Sequence, residues 1–497
     1  MKNFDEYLKE TGEFGWVQAI INPLFYVSGL PTAKPQEIIL TENGSRGIAT
    51  VLLPDFVEVL MLDKGNLSHE EKVARTNTVI GMDISPLILG RVVDPFGMPV
   101  DNLGPLAGER VYLPLDKPPP GVLERAKISQ PFETGVMVVD SMVQIGKGQK
   151  ELVLGDQKTG KTQFLLQTMA HQAKKGTICI YVSIGKKQAD LKHVEQYLKE
   201  SGALKNSVVI AATSSDPVSY VYFAPFAGFT IAEYFRDTGR DVLIVLDDMS
   251  AHAKYYREIS LIAKKVPGRN SYPGDVFHHQ ARVLERSGLI RGKGGKKDYS
   301  ITALPVVETQ EGDITGYIQT NLMATTDGHL FFDMQEAKRG RYPPVNHTLS
   351  VTRAGNQTQT VLEKEIRHHF VLSLNEYYRI KETVSFGVEI LPEYKNFIVY
   401  GQKIEAVLNQ GKRDIVSTSL RYLLCGLLYF GFFKESTISQ TIQAKEALTK
   451  ALAEGRLKSI EAEILKAPNL VNLVAVINKY KQKIWEAAYG NLQQKPA

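Results

Sequence analysis

Gly155-Asp156-Gln157-Lys158-Thr159-Gly160-Lys161-Thr162 follows directly on the apolar run Leu152-Val153-Leu154. The stretch completes the G-x-x-x-x-G-K-[ST] pattern of a phosphate-binding loop, placed where a strand should end and a helix begin. The chemistry requires that layout. Glycines let the backbone wrap a phosphate chain so that its N–H groups point inward. Lys161 is the residue to reach the β- and γ-phosphates, and the Thr162 hydroxyl is the one to ligate Mg²⁺. The helix that starts near Thr162 adds its positive end to the site. A nucleoside triphosphate, with Gly155 to Thr162 and the adjoining Gln163 as its binding residues, is therefore the expected ligand.

Outward from the loop, strands and helices alternate. Thr177–Ser183, Ser207–Ala212, Asp241–Leu246 and Ile301–Val307 are rich in Val and Ile and poor in charge, as a parallel sheet buried on both faces requires. Between them, Phe277, Ala281 and Leu284 recur at helical spacing behind Pro273-Gly274-Asp275. This predicts a doubly wound α/β core. Arg291 to Lys297, rich in Gly and Lys, reads as a solvated loop. Toward the N-terminus, short β-rich runs alternate with turn signals: Trp16–Ile21, Phe25–Val27, Glu37–Leu40, Gly47–Leu52 and Val57–Met61. Such spacing predicts a small barrel or sandwich with a structural role. From about Gln359 the pattern turns helical, through Leu362–Ile366, Ile404–Leu408, Ala444–Leu452, Ile460–Leu465 and Val471–Ile484. The expected division is a β-barrel over 1–76, a nucleotide-binding α/β domain over 77–358 and a helical domain over 359–497.

The 497 residues are too many for one core, and 43% hydrophobic with 23% charged residues is the composition of an ordinary globular chain. A net charge of +5, with no basic cluster in residues 1–75, argues against a nucleic-acid partner. The polar start Met1-Lys2-Asn3-Phe4-Asp5-Glu6 lacks a signal-peptide core, so secretion is not expected. Leu423–Phe433 is apolar but spans too few residues to cross a bilayer, and reads as a buried helix. Cys179 and Cys425 read as buried free thiols.

A phosphate-binding loop needs a second carboxylate, which holds Mg²⁺ through water at the end of a neighbouring apolar strand. Leu243-Ile244-Val245-Leu246-Asp247-Asp248 supplies it, with Asp247 as the metal partner and Asp248 making structural hydrogen bonds. Hydrolysis further needs a group that orients or deprotonates water. The strand after the loop helix ends Ser183-Ile184-Gly185-Lys186-Lys187-Gln188, with no carboxylate before Asp190. Lys186 occupies the place of the base; it can contact phosphate but not activate water. The site reads as able to bind ATP and poorly able to cleave it. Arg353, in Val351-Thr352-Arg353-Ala354-Gly355, follows a β-like run at the junction with the helical region.

These residues, with Gly90-Arg91-Val92-Val93-Asp94, Gln130–Gly135, Ile145–Gln149, Glu233–Asp237, Tyr272–Phe277 and Thr302–Gln310, resemble the α subunit of F-type rotary ATP synthases along nearly the whole chain. The resemblance implies β-barrel, nucleotide and helical domains in a ring of three α and three β subunits. It implies a β-like catalytic partner, a γ-like central stalk, a peripheral-stalk δ subunit, and a peripheral place on the cytoplasmic face of the cell membrane. It implies ATP or ADP with Mg²⁺ bound without turnover through the residues matching Gly155–Thr162 and Asp247. It further implies that Arg353 is an arginine finger completing the neighbouring catalytic site, and that Gln410 lies near the adenine. Ion transport, of H⁺ or Na⁺, would be coupled to ATP synthesis or hydrolysis.

Several positions depart from the family pattern. Gln157 and Lys158 replace Arg-Gln in the loop, Lys186 a glutamine, Thr352 the second serine of a Ser-x-Ser signature, Tyr342 an arginine and Lys412 a glutamine. They bear on nucleotide affinity and base selectivity. The segment before the barrel is short, which bears on stalk docking. Two further readings stay open: a homohexameric RecA-like motor ATPase, and an α-like subunit of a specialised complex not coupled to ion transport.

Overall fold

The structure is a computed structural model that describes residues 2–63, 65, 67–292, 294, 297–385 and 392–490. The chain forms two compact units. One comprises Met1–Lys127, Gly148–Leu154 and Gln172–Asp327; the other Ile128–Lys147, Gly155–His171 and Gly328–Ala497.

The first unit opens with a helix, Phe4–Thr11, whose start is closed by an Asn3–Glu6 capping box. Six strands follow: β1 (Phe14–Ile21), β2 (Leu24–Ser28), β3 (Glu37–Thr41), β4 (Arg46–Leu52), β5 (Val57–Met61) and β6 (Lys72–Val79). They close a barrel in the order β1-β2-β5-β4-β3-β6, so no edge is left to pair with another chain. Alternate residues point inward, and Val17, Phe25, Ile39, Val59 and Val73 fill the lumen. The closing strand β6 has no counterpart among the runs read from sequence. Its Lys-Val-Ala-Arg-Thr-Asn-Thr-Val is too polar, because buried Arg75 is neutralised by Glu37 at 3.0 Å inside the fold.

Downstream lie β7 (Val92–Val93), β8 (Glu151–Gly155), β9 (Ile178–Lys186), β10 (Ser207–Thr213), β11 (Val242–Asp247) and β12 (Tyr299–Glu308). They line up as β8-β12-β11-β9-β10-β7, and the β9, β10, β11 and β12 pairings are parallel. Every residue of β10 and β11 is buried. Helices Gln188–Glu200, Val218–Asp237, Met249–Ile262 and Val276–Leu284 belong to the same unit. The last of these has its buried face one residue round from the one expected. Val276, Gln280, Val283 and Leu284 point inward, whereas Phe277 and Ala281 are half-exposed. The reason is polar: Gln280 Nε2 donates to the Met249 carbonyl at 3.1 Å. Of the expected loop Arg291–Lys297, residues 293, 295 and 296 lie outside the described residues.

The second unit holds the loop Gly155–Thr162, most of its helix Lys161–Lys174, an antiparallel strand pair β13 (Gly328–Phe332) and β14 (Val351–Thr352), and, after β14, eight helices among the described residues. The helix Thr418–Phe430 carries the apolar run; Leu423, Leu424 and Leu427 have no exposed surface. Among the described residues no helix is long and apolar enough to cross a membrane. The expected continuous stretch Val471–Ile484 is two helices, Leu470–Lys479 and Lys481–Tyr489, broken at Tyr480. Both cysteines are buried and neither is in a disulfide.

Candidate functional site

The loop is built as phosphate chemistry asks. Gly155 cannot carry a side chain, since a Cβ there would lie 2.3 Å from the Phe332 carbonyl oxygen. Lys158 takes a left-handed φ of 63°, which turns the chain. Thr159 Oγ1 donates to the Asp156 carbonyl at 2.7 Å and stiffens the turn. Lys161 Nζ donates at 2.6 Å to the carbonyls of both Gly155 and Asp156, so its ammonium is held over the loop by backbone. Gln157 and Lys158 are exposed, while Lys161 is buried. Gln163 Nε2 donates to the Lys412 carbonyl at 2.6 Å.

Residues distant in sequence gather beside this loop within the same unit. A Cβ on Gly160 would come within 3.1 Å of the Tyr342 ring. Lys412 Nζ lies 5.7 Å from the centroid of that ring, within reach of a cation–π contact. Tyr342 is pinned by two bonds: its N–H donates to Asn409 Oδ1 at 2.8 Å, and its carbonyl accepts from the Gln410 N–H at 2.7 Å. Gln410 is buried and acts as a clip. Its Oε1 accepts from the Met137 N–H at 2.9 Å, and Nε2 donates to the carbonyls of Gly135 and Asp414 at 2.9 and 2.6 Å. Both of its amide protons are thus engaged by backbone.

In the other unit, β11 ends on Asp247, which is 1% exposed. Tyr181, on β9, donates its hydroxyl to Asp247 Oδ2 at 2.6 Å. Lys186 Nζ lies 2.9 Å from Oδ1. Burial works against the Lys186 charge, but Asp247, Asp248 and Glu308 outweigh it and hold the amine above its ordinary range. Asp248 caps the helix Met249–Ile262, accepting from the N–H groups of Ser250 and Ala251. Burial, opposed by the nearby Lys186, pushes its carboxyl up to about 6. Lys186 therefore sits on the carboxylate read as the metal partner. A divalent cation brought to Asp247 would meet an ammonium already placed there, so the residues around this carboxylate do not fit Mg²⁺ beside Lys186. Tyr181 was not singled out from sequence. Its signal is register: Tyr181 lies opposite Val245, so Asp247 is its diagonal, same-face neighbour.

Arg353 is exposed and directly follows β14. It makes no hydrogen bond or ion pair with a described residue, which leaves its guanidinium available. Its backbone is firmly held. Thr352 Oγ1 donates to the Gln144 carbonyl at 2.9 Å and accepts from the Gly355 N–H at 3.2 Å. A Cβ at Gly355 would fall 1.7 Å from that same carbonyl oxygen. The threonine thus supplies the hydroxyl that the departed serine would have given. Behind it, Gln144 Nε2 donates to Glu363 Oε1 at 3.1 Å. Glu363 also takes Arg421 at 2.9 Å and Tyr422 Oη at 3.0 Å. Gln144 and Glu363 were not read as functional; nothing local in their sequence shows that they brace Arg353.

Comparison with known proteins places the chain in a family. Residues 135–352 match the model of the ATP synthase alpha/beta family, nucleotide-binding domain. The chain is 38% identical to the ATP synthase subunit alpha of Mycoplasmoides gallisepticum, over 90% of this chain and 86% of that one. It is 36% identical to the ATP synthase subunit alpha of Caldanaerobacter subterraneus, over 91% and 93% of the two chains. A third relative, ATP synthase subunit alpha 1 of Chlorobium luteolum, is 35% identical over 90% and 87%. With the barrel, the nucleotide-binding domain and the helical region all in place, the chain belongs to the family of ATP synthase alpha subunits.

Proposed function

We propose that this chain is a nucleotide-binding but non-catalytic member of an ATP synthase ring, and that it lends Arg353 to the catalytic site of a neighbouring β-like subunit. One observation carries the reading: the strand end that would hold a catalytic carboxylate holds Lys186 instead, with its ammonium on Asp247. An ammonium cannot take a proton from water, so this strand end supplies no base for hydrolysis. ATP or ADP is bound through Gly155, Asp156, Gln157, Lys158, Thr159, Gly160, Lys161, Thr162 and Gln163. Tyr342 offers an aromatic face for the base, and Gln410 holds the Tyr342 backbone in place. Mg²⁺ belongs to this proposal through Thr162 and the phosphate oxygens, with Asp247 already engaged by Lys186.

The ring would alternate this chain with the β-like subunit around a γ-like central stalk, with a δ-like peripheral stalk, on the cytoplasmic face of the membrane, coupled to H⁺ or Na⁺. Support for the finger is the exposed, unengaged Arg353 on a clamped strand end. The test is purification of the native complex on this chain, followed by ATP turnover of the ring. A β-like partner bearing the missing glutamate, with turnover present only in the mixed ring, is the expected result. A homohexamer of this chain that turns over ATP would replace the proposal with a self-sufficient motor. Soluble partners without a membrane ring would point to a complex not coupled to ions.

A further inference from the structure

We propose that the helices of the second unit hold a binding site for a small carboxylic acid with an apolar body, and that Lys403 is the partner of its carboxylate. The site lies outside the phosphate-binding loop and does not depend on the nucleotide reading.

On the helix Pro392–Leu408, Val399 and Tyr400 stand one turn before Lys403 and share a face with it. Lys403 is 3% exposed. Its ammonium carries three N–H groups and a full charge. Nζ donates to the carbonyls of Phe433 and Lys434 at 2.6 and 2.8 Å, in the turn after the helix Thr418–Phe430. Those acceptors are neutral, and among the described residues no carboxylate stands at ion-pair distance from this amine. A buried charge ordinarily has a counter-ion. Burial lowers the Lys403 pKa, and Glu435, beyond ion-pair distance, only opposes that fall. The amine is therefore one acceptor and one negative charge short.

A cavity of about 360 Å³, lined in part by Lys403, has the size of a small-ligand site. Val399, Tyr400, Leu428 and Tyr429 form its apolar wall, and Lys434 adds a second ammonium. The polar groups of that wall are spent on each other, since His369 Nε2 and the Tyr400 hydroxyl share a hydrogen bond of 2.7 Å. The His369 ring also meets Tyr429 edge-on, with centroids 4.9 Å apart, which fixes the wall. What faces a ligand is aromatic and aliphatic surface beside two cations. A carboxylate supplies the missing charge and the third acceptor, and an apolar body covers the rings. An amine would add like charge, and an alcohol would bring no charge.

The experiment is calorimetric titration of the full-length chain with octanoate, octanol and octylamine. Octanoate should bind at one equivalent, and the other two at least about tenfold more weakly. Tyr429→Ala, at a side chain that is 47% exposed, should leave the melting temperature unchanged and weaken octanoate by about tenfold. Lys403→Met keeps the aliphatic stem and should bring octanoate down to the affinity of octanol. Should that variant fail to fold, the octanoate–octanol difference and Tyr429→Ala carry the test. Octanol binding as tightly as octanoate, octanoate affinity unchanged in Tyr429→Ala, or no saturable octanoate binding overturns the inference.

Discussion

The loop Gly155–Thr162 of one unit and the acidic strand end at Asp247 of the other differ in how their charged groups are held. At Gly155–Thr162 every group that phosphate binding requires is in place. Gly155 packs too tightly for any other residue, Thr159 stiffens the turn, and Lys161 is held by two backbone carbonyls. At the end of β11 the carboxylate is also in place, but a lysine, Lys186, stands on Asp247. Phosphate affinity resides in backbone geometry and one lysine, whereas turnover hangs on a single carboxylate. The first survives when the second is exchanged.

The comparison can be broken most sharply at Arg353. If this chain contributes to turnover only through its neighbour, Arg353→Ala should leave assembly and ATP binding intact. It should lower turnover of the assembled ring by about 10³–10⁵. Steady-state ATPase rates of the reconstituted ring decide it; an unchanged rate would sink the finger assignment. The next effect concerns the brace behind that arginine. Glu363→Ala takes a buried ion-pair partner from the Arg421 guanidinium, leaving Asp140 as its remaining neighbouring charge, and should cost about 3 kcal/mol by chemical denaturation. Loss of no stability would mean that the Glu363 network does not hold β14.

Acid should act on both units by the same route. Burial drives His252 down to about 4, against the Tyr222 carbonyl, which favours its charge. Burial, then Arg341, drives His347 down to about 4 as well. Both pKa values are depressed below the unfolded value, so the unfolded chain takes up protons first as pH falls. Measured as the difference between wild type and His252→Gln, so that Asp248, raised to about 6 and acting in the opposite sense, cancels, stability should be constant above about pH 6.5 and decline between that point and pH 4, by up to about 3 kcal/mol for fully buried His252. Denaturant midpoints across that range test it, and His252→Gln should flatten the profile. The smallest effect is at Thr352: Thr352→Val removes the hydroxyl that reaches Gln144, and should cost about 1–3 kcal/mol. Thr352→Ser should behave as wild type in the same melt.

How much of this was legible in the sequence follows from where the information sits. The loop is contiguous, so its pattern shows the strand, the turn and the helix together. The strands of the parallel sheet are apolar on both faces, and their runs stand out for that reason. The closing barrel strand β6 does not, because Arg75 and Glu37 neutralise each other across 38 positions. The same limit applies to the site. Lys186 could be seen as a missing base, but not as the partner of Asp247, since that contact joins adjacent strands 61 residues apart. Gln410 was read by its resemblance as a base-side residue; the structure gives its amide to Met137, Gly135 and Asp414, contacts that no local pattern encodes.

A chain that holds nucleotide without hydrolysing it should tolerate loss of its own phosphate-binding lysine. The most direct test is a ring assembled with Lys161→Ala in this chain, assayed for tightly bound nucleotide and for turnover in the same preparation. The account predicts that bound nucleotide falls while part of the turnover remains, because hydrolysis proceeds on the neighbouring subunit. Turnover abolished as completely as by Arg353→Ala would contradict it and make this loop a catalytic one.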